Sequence, residues 1–266
     1  MTNVNTDALD TPVKGTGRRR RGPFAEVIFR LSRSPLAMFG LAVILLLIFC
    51  AIFADVLAPY DFAKQDLMHM FETPSAEHWL GTDEFGRDIL SRLIFGARVS
   101  LQVGFIAVGI ALVIGGMLGA TAGYYGGWID NGIMRVMDVL LSVPQTLLAI
   151  AIVAALGPSL MNLMIAVGVS EVPTYARIVR GSVLSIRGME FVEAARSVGS
   201  SDLRIILKHI IPNSMAPIIV QSTLGVASAI LNAAGLSFIG LGIQPPNPEW
   251  GAMLSGGRQY IRDFPH

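Results

Sequence analysis

Ionisable side chains that could bind a metal or transfer protons concentrate in one stretch of the sequence, residues 58–98. Its seven carboxylates and two histidines are Asp61, Asp66, Glu72, Glu77, Asp83, Glu84, Asp88, His69 and His78. They lack the compact spacing of zinc ligands. No Ser, His and Asp grouping in the sequence indicates nucleophilic catalysis. We therefore interpret the stretch as a hydrated surface and predict no metal site and no catalytic residue.

The lysines and the cysteine exclude two further kinds of chemistry. The only lysines are Lys14, Lys64 and Lys208, and none precedes Ser or Thr, so the nucleotide-binding pattern G-x-x-x-x-G-K-[ST] is absent from this sequence. The single cysteine, Cys50, excludes an intramolecular disulfide. A net charge of +1 gives no indication of nucleic-acid binding. If the chain works with ATP, we expect the ATPase to be another polypeptide.

The composition predicts that these polar residues are positioned by membrane helices. The 266 residues are 53% hydrophobic and 15% charged, with a mean hydropathy of +0.60. A soluble domain is about 25% charged. Because a helix needs roughly 20 apolar residues to cross a bilayer, we searched for long runs without charge. These runs are residues 34–54, 99–129, 139–170 and 210–248.

Gly157 and Pro158 interrupt the third run, which we divide into spans 138–156 and 160–176. The fourth run predicts a span at 216–239. Five spans result. The first is too long for a usual signal-peptide core and lacks an A-x-A cleavage site, so a retained anchor is favoured.

Positive charges predict the orientation of these spans. A cytoplasmic N-terminus places 14 of the 20 Lys and Arg residues inside, including the Arg18–Arg21 run, and the opposite orientation inverts that ratio. Residues 58–98 are then extracytoplasmic and residues 171–209 cytoplasmic.

The most informative stretch is residues 187–208, which holds seven charges. Inserting it into lipid would cost on the order of 20 kcal/mol. The pattern of residues 189–198 predicts a short helix. Its apolar side consists of Phe191, Ala194, Ala195 and Val198. Gly199 suits a helix end with positive φ. Ser200, Ser201 and Asp202 can cap a second helix, with a stripe formed by Leu203, Ile206, Leu207 and Ile210. A rigid docking element and a partnerless helix on the membrane surface both fit this pattern.

The string EAARSVGSSDLRIILKHIIPN resembles the EAA loop of the permease subunits of bacterial ABC importers. Glu193, Ala194, Ala195, Gly199 and Pro212 match its pattern, whereas His209 and Ile211 depart from it mildly. HWLGTDEFGRDILSRLIFGARVSLQVG and LSFIGLGIQPPNPEWGAML resemble segments of the C-type permease of dipeptide, oligopeptide and nickel importers. These similarities cover most of residues 35–260.

The resemblance implies an all-α membrane protein with the type I ABC importer permease (MetI-like) fold. It implies four kinds of partner: a homologous B-type permease, two ATPase subunits that bind ATP and Mg, an extracytoplasmic substrate-binding protein, and the lipid bilayer. No cofactor is expected in this chain. The EAA helix would enter a cleft of an ATPase, with Ala194 and Ala195 allowing close approach and Glu193 contacting the ATPase. The chain would then be a non-catalytic subunit of the bacterial inner membrane that forms half of the pathway.

Combining the spans with the resemblance gives a domain division. Residues 1–33 are a cytoplasmic tail, 34–57 the first transmembrane helix and 58–98 an extracytoplasmic loop that helps to receive the binding protein. Residues 99–240 are the core permease domain with four further spans and the EAA coupling loop at 187–213. Residues 241–266 form an extracytoplasmic loop. The family has six spans, so the last helix either lies beyond this loop, outside the given sequence, or is missing from this protein, and the first alternative is favoured.

Small and acidic residues within the spans predict packing. Gly115, Gly119, Gly123 and Gly127 recur every four residues, as on helix faces that approach closely. Their partner is either another helix of this chain or the second permease. Glu171 is expected to pair with Arg135 or Arg177 rather than to carry protons or substrate.

The expected function is a permease subunit of an ATP-driven importer of di- or oligopeptides. Chelated nickel or glutathione are alternative cargoes, and the residues that bind cargo are not predicted. An ion-coupled secondary transporter is disfavoured because paired broken helices in inverted halves are not apparent.

Overall fold

The computed structural model describes Phe29 and residues 32–266. The Arg18–Arg21 run and most of the predicted tail lie outside these residues. The chain divides into two units, Met1–Leu46 and Leu47–His266. Regular structure in the described part is helical apart from one isolated bridge between Thr82 and Asp88.

The α-helices in chain order are α1 (Pro35–Ile52), α2 (Ala54–Leu57), α3 (Ile89–Tyr125), α4 (Gly127–Leu141), α5 (Gln145–Leu156), α6 (Leu160–Ile186), α7 (Glu190–Ser197), α8 (Asp202–Ile205), α9 (Ile211–Asn213), α10 (Met215–Phe238) and α11 (Trp250–Gly257). A π-helical segment, Ile206–Ile210, joins α8 to α9, and a 3-10 turn, Arg258–Tyr260, follows α11.

Helix α1 has no charged residue and buries none of its side chains. Leu36 is 81% exposed and Phe39 is 69% exposed. A helix that is apolar on every side and uncovered by protein is suited to lipid. The first predicted span therefore coincides with a helix of the right composition.

The second predicted span, 99–129, differs from the structure at both ends. Helix α3 begins ten residues earlier because Asp88 caps it, accepting a hydrogen bond from the Ser91 amide at 2.7 Å. Arg98 lies inside the helix, where it pairs with Asp55 at 2.8 Å. The charge-free run begins only at residue 99, because it excludes every charged residue, including a paired one such as Arg98. The helix ends at Gly126, whose φ is +67°.

The third predicted span, 138–156, is not one straight helix. Helices α4 and α5 meet at 85° across residues 142–144. Pro144 has φ −52° and ψ +133°, which places it outside both helices. Since α5 has 12 residues, it is roughly 18 Å long and too short to cross a bilayer alone. The pair is therefore a broken span or a re-entrant loop.

Three helices of the described chain, α1, α3 and α10, are long and apolar enough to span a membrane, and the bent pair raises the number to four. The remaining predicted span, 160–176, falls on α6. This helix has 27 residues but carries Glu171, Arg177 and Arg180. Arg177 pairs with Asp138 at 2.6 Å, and Arg180 pairs with Asp130, so both cations face acids of α4.

Helix α6 lies at the centre of the second unit. It packs most extensively against α3 and also contacts α4, α5 and α10. One apolar cluster joins α3, α5, α6 and α10 around the fully buried Tyr175. A second cluster joins the last turns of α3 and α6 to α7, α8 and the π-helical segment. The charged stretch at residues 187–208 is therefore packed against the helix bundle.

Candidate functional site

We use the name EAA segment for residues 187–213, which connect α6 to α10. Helices α7 and α8 form its two arms and meet at Gly199. Met189 and Ser201, the residues before each arm, have extended backbone, which starts each helix in a new direction. The predicted arrangement of two short helices joined by a glycine is confirmed.

Gly199 forms the turn between the arms. Its φ is +76°, a left-handed conformation that favours glycine. The Ser200 amide donates to the Ala195 carbonyl at 3.1 Å, and the Gly199 amide donates to the Arg196 carbonyl at 3.0 Å. These bonds form a Schellman motif, which satisfies carbonyls at the end of α7. The positive φ predicted for Gly199 is therefore confirmed.

The EAA segment is fixed by apolar side chains that face the bundle. Val192 and Ala195 are buried on α7, and Ile205, Ile206 and Ile210 are buried on the following turns. All five belong to the cluster that includes Val183 and Tyr124. Removing this surface from water holds the segment against the ends of α3 and α6.

This buried face differs from the predicted one. Ala195 is 8% exposed and packs against its own chain, and its close approach to an ATPase stays a prediction. Phe191 is 38% exposed and Val198 is 81% exposed, whereas Val192 is fully buried. The pattern of an eight-residue helix contains only two turns, too few to distinguish adjacent faces reliably.

The opposite face of the EAA segment is open. Glu193 and Ala194 are exposed on α7. Of the predicted apolar stripe, Ile206 and Ile210 are buried, whereas Leu203 is 67% exposed and Leu207 is 58% exposed. Together with Val198 the two leucines place apolar side chains on an element whose charges keep it out of lipid. Such a surface is typical of a protein-binding site.

Polar contacts tie the segment to α3. Arg187 donates to the Gly123 carbonyl at 3.0 Å. The Tyr124 hydroxyl donates to Asp202 at 2.6 Å, and Arg196 donates to the same hydroxyl at 3.5 Å. Sequence analysis missed Tyr124, because nothing in the sequence places the end of α3 beside residues more than 70 positions away.

Pro212 lies in α9, directly after the π-helical segment. Proline has no amide hydrogen to donate to the carbonyl four residues earlier. The wider hydrogen-bond spacing of the segment accommodates the change from the α8 arm to α10. The match of Pro212 to the EAA pattern did not predict the π-helical turn before it.

The glycines of α3 approach α6 of the same chain. A β-carbon on Gly115 would lie 2.6 Å from the Val172 carbonyl oxygen, and one on Gly119 would overlap the Ala176 carbonyl. A β-carbon on Gly123 would lie 2.9 Å from the Val183 side chain. These three glycines therefore pack within the chain. Gly127 is different: it starts α4 after the turn, and no atom lies within 4 Å of its β-carbon position.

Glu171 is buried, with 5% of its surface exposed. Within the described chain, the buried Gln145 side-chain nitrogen at the start of α5 has no hydrogen-bond partner. The expected ion pair with Arg135 or Arg177 is not formed, because Arg177 bonds Asp138 instead. The prediction was wrong because distance along α6 does not indicate which side of the helix each residue occupies.

Residues 58–98, which we call the acidic loop, are folded rather than uniformly hydrated. Arg87 is 5% exposed and bonds Asp83 at 2.7 Å, while the buried Arg92 lies 3.4 Å from the same carboxylate. His69 is exposed and bonds Asp66 at 2.9 Å, which raises the pKa of His69 and lowers the pKa of Asp66. Among residues 32–266 no group of three or more His, Cys, Asp or Glu side chains is placed to hold a metal ion.

A cavity of about 400 Å³ lies between the acidic loop and the chain after α10. Arg87 and Arg92 line it together with aromatic side chains such as Phe71 and Tyr260. Its walls come from distant parts of the sequence, which explains why sequence analysis did not predict it.

Two family models match the chain. Residues 111–260 match the binding-protein-dependent transport system inner membrane component, and residues 22–74 match the N-terminal TM domain of oligopeptide transport permease C. The first match covers more than half of the sequence and includes the whole EAA segment.

Individual relatives agree with these models. The chain is 53% identical over 243 residues to the dipeptide transport system permease protein of Alkalihalophilus pseudofirmus, covering 91% of this chain and 80% of that one. It is 47% identical to the glutathione transport system permease protein of Escherichia coli O6:K15:H31, covering 92% and 82%. An inward-facing crystal form of the MetNI methionine ABC transporter aligns with a TM-score of 0.53 and 19% identity, over 66% of this chain and 82% of the matched one. That last similarity is one of fold.

Proposed function

The chain belongs to the family of binding-protein-dependent transport system inner membrane components, and on that basis we propose that it is one permease subunit of an ATP-driven importer of dipeptides or short peptides. The predicted fold class, an all-α type I importer permease, is confirmed by the family match and by the structural similarity to the methionine transporter. The predicted membership of the C-type peptide permeases is likewise confirmed.

The open face of the EAA segment is the single observation that carries the coupling role. Glu193 and Ala194 are exposed there beside apolar side chains, on an element anchored to the bundle by its other face. A rigid element with an uncovered apolar surface is suited to bind a soluble partner. In this proposal the partner is an ATPase subunit, and closure of two ATPases moves the EAA segments of two permeases together.

Each chain would then supply half of the pathway, with a B-type permease supplying the other half. ATP and Mg would bind the ATPases, and this chain would have no catalytic residue. The acidic loop faces the opposite side of the membrane in the predicted orientation, where it would receive a substrate-binding protein.

Dipeptides are the favoured cargo because the relative named for dipeptide transport is 53% identical. Glutathione is the second candidate, since the relative named for glutathione transport is 47% identical over a similar length. Both molecules are short peptides with a free ammonium group and carboxylates, so the binding protein rather than this chain would separate them.

Co-purification from native membranes tests the proposal. We expect a tagged chain to recover a second permease and ATPase subunits in near-equal amounts, and the reconstituted complex to import a labelled dipeptide only with ATP and the binding protein. Import driven by an ion gradient without an ATPase would contradict the proposal. Import of glutathione alone would select the second cargo.

A further inference from the structure

The Tyr124 hydroxyl contacts both arms of the EAA segment. It donates to Asp202 on α8 at 2.6 Å and accepts from Arg196 on α7 at 3.5 Å. The Arg196 guanidinium carbon also lies 5.7 Å from the centre of the Tyr124 ring. One side chain at the end of α3 therefore spans the Gly199 turn.

These contacts lie at the edge of the buried cluster. Tyr124 is 7% exposed, whereas its partners Asp202 and Arg196 are exposed. A hydroxyl that donates to a carboxylate forms a short, charge-assisted bond. Because Arg196 donates to the same oxygen, the carboxylate and the guanidinium polarise the hydroxyl in the same sense. Among the contacts that hold the segment on α3, the Tyr124 hydroxyl is therefore the one that joins both arms.

Helix α3 is itself held in register. Gly119 and Gly123 bring its backbone against α6 just before Tyr124. The apolar cluster around the segment is non-directional and permits small sliding movements. Hydrogen bonds define direction, and Tyr124 provides them where the segment meets the longest helix of the chain, which has 37 residues.

We propose that Tyr124 is the positioning residue that transmits movement of the EAA segment into α3, by clamping Asp202 and Arg196 on the two arms. This inference rests on the proposed importer function. Without the hydroxyl, the ATPases would still bind and close, but the segment would rotate against α3 rather than carry it along.

The test is Tyr124→Phe in the complete transporter, reconstituted with its partner subunits and binding protein. The ring remains and the hydroxyl is lost. We expect normal recovery of ATPase subunits and retained ATP hydrolysis, with dipeptide uptake per ATP reduced about fivefold or more. The matched control is Tyr260→Phe, which removes a hydroxyl from the 3-10 turn after α11, outside both the EAA segment and the acidic loop. It should leave the ratio unchanged.

Asp202→Ala provides a second variant, because it removes the acceptor and keeps the Tyr124 ring in the cluster. Its effect on uptake per ATP should match that of Tyr124→Phe, and the double variant should be no worse than either alone. If the Tyr124→Phe variant fails to assemble, dipeptide uptake per ATP in the Asp202→Ala variant tests the inference instead.

An unchanged ratio in both Tyr124→Phe and Asp202→Ala would overturn the inference. So would additive effects in the double variant, since they would show that the two groups act separately. A wild-type complex that neither hydrolyses ATP nor transports would instead refute the proposed function. The two failures are therefore distinguishable.

Discussion

Glu193 combines two properties at the residue scale. Its side chain is exposed on α7 and makes no hydrogen bond with another residue of the described chain. It also lies two residues from Ala195, which faces the bundle. A charge placed in this way is free to meet a cation on a partner, whereas the neighbouring buried side chains fix its position.

Charge reversal by Glu193→Arg should therefore weaken ATPase binding without affecting the fold. A cation facing a cation costs several kcal/mol at an interface, so we expect at least about a tenfold loss of ATPase recovery and of uptake. Co-purification from detergent extracts and dipeptide uptake measure the two effects.

The matched control for this variant is Glu77→Arg. Glu77 is also exposed but belongs to the acidic loop, so the substitution makes the same change of charge without touching the EAA segment. ATPase recovery should then equal that of the wild type. Equal recovery with Glu193→Arg would remove Glu193 from the interface.

Individual residues were predictable where local conformation determines them. Gly199 follows from the chemistry of helix ends, which requires a positive φ whatever surrounds it. The partner of Glu171 was assigned wrongly because it depends on which face of a helix meets the rest of the bundle. That information is tertiary, and neighbouring residues in the sequence do not contain it.

At the scale of the elements, the angle between α7 and α8 can be tested by substituting Gly199 in the turn that joins them. Within the described chain, no atom other than those of the adjoining residues lies within 4 Å of its β-carbon position, so a side chain would meet strain from φ +76° rather than a collision. The strain is about 1–2 kcal/mol for an ordinary residue. We expect Gly199→Val to preserve the level of protein in the membrane and to lower uptake per ATP severalfold.

Gly199→Asn is the informative companion, because asparagine tolerates the left-handed conformation better than valine. Uptake per ATP should be substantially higher in this variant than with Gly199→Val. Normal substrate-stimulated ATP hydrolysis and uptake with Gly199→Val would contradict a role for the angle of the turn.

The contact between α3 and α6 predicts a contrast between two neighbouring glycines. A β-carbon on Gly119 would overlap the Ala176 carbonyl, whereas one on Gly116 would touch only the end of Leu112 at 4.0 Å. Gly119→Ala should therefore destabilise the bundle by about 1–3 kcal/mol. Gly116→Ala should stabilise the helix by up to about 1 kcal/mol. Melting temperatures in detergent should move in opposite directions, and a shift of the same sign would contradict the packing.

Elements were predicted best where composition is uniform. Helices α1 and α10 follow from long apolar runs, because nothing in those runs interrupts a helix. The beginning of α3 and the whole of α6 were less evident, since both contain charges that the fold pairs internally. The 85° bend between α4 and α5 depends on how each of these helices packs against α6, which the sequence does not specify.

At the scale of the whole molecule, the proposed mechanism requires the EAA segment and the acidic loop to lie on opposite sides of the bilayer. ATPases are soluble proteins of the cytoplasm, and a substrate-binding protein acts outside it. The distribution of Lys and Arg supports this orientation, with the EAA segment inside. The orientation can be tested because Cys50 is the only native cysteine.

The test uses Met68→Cys and Val198→Cys in a Cys50→Ser background. Met68 is 89% exposed in the acidic loop and Val198 is 81% exposed in the EAA segment, so both new thiols should be reactive wherever water reaches them. A membrane-impermeant maleimide should label Met68→Cys in intact cells and Val198→Cys only in opened membranes stripped of peripheral proteins. Labelling of Val198→Cys in intact cells would reverse the orientation and separate the EAA segment from any cytoplasmic ATPase. The coupling mechanism would then fail, even if every contact within the chain were correct.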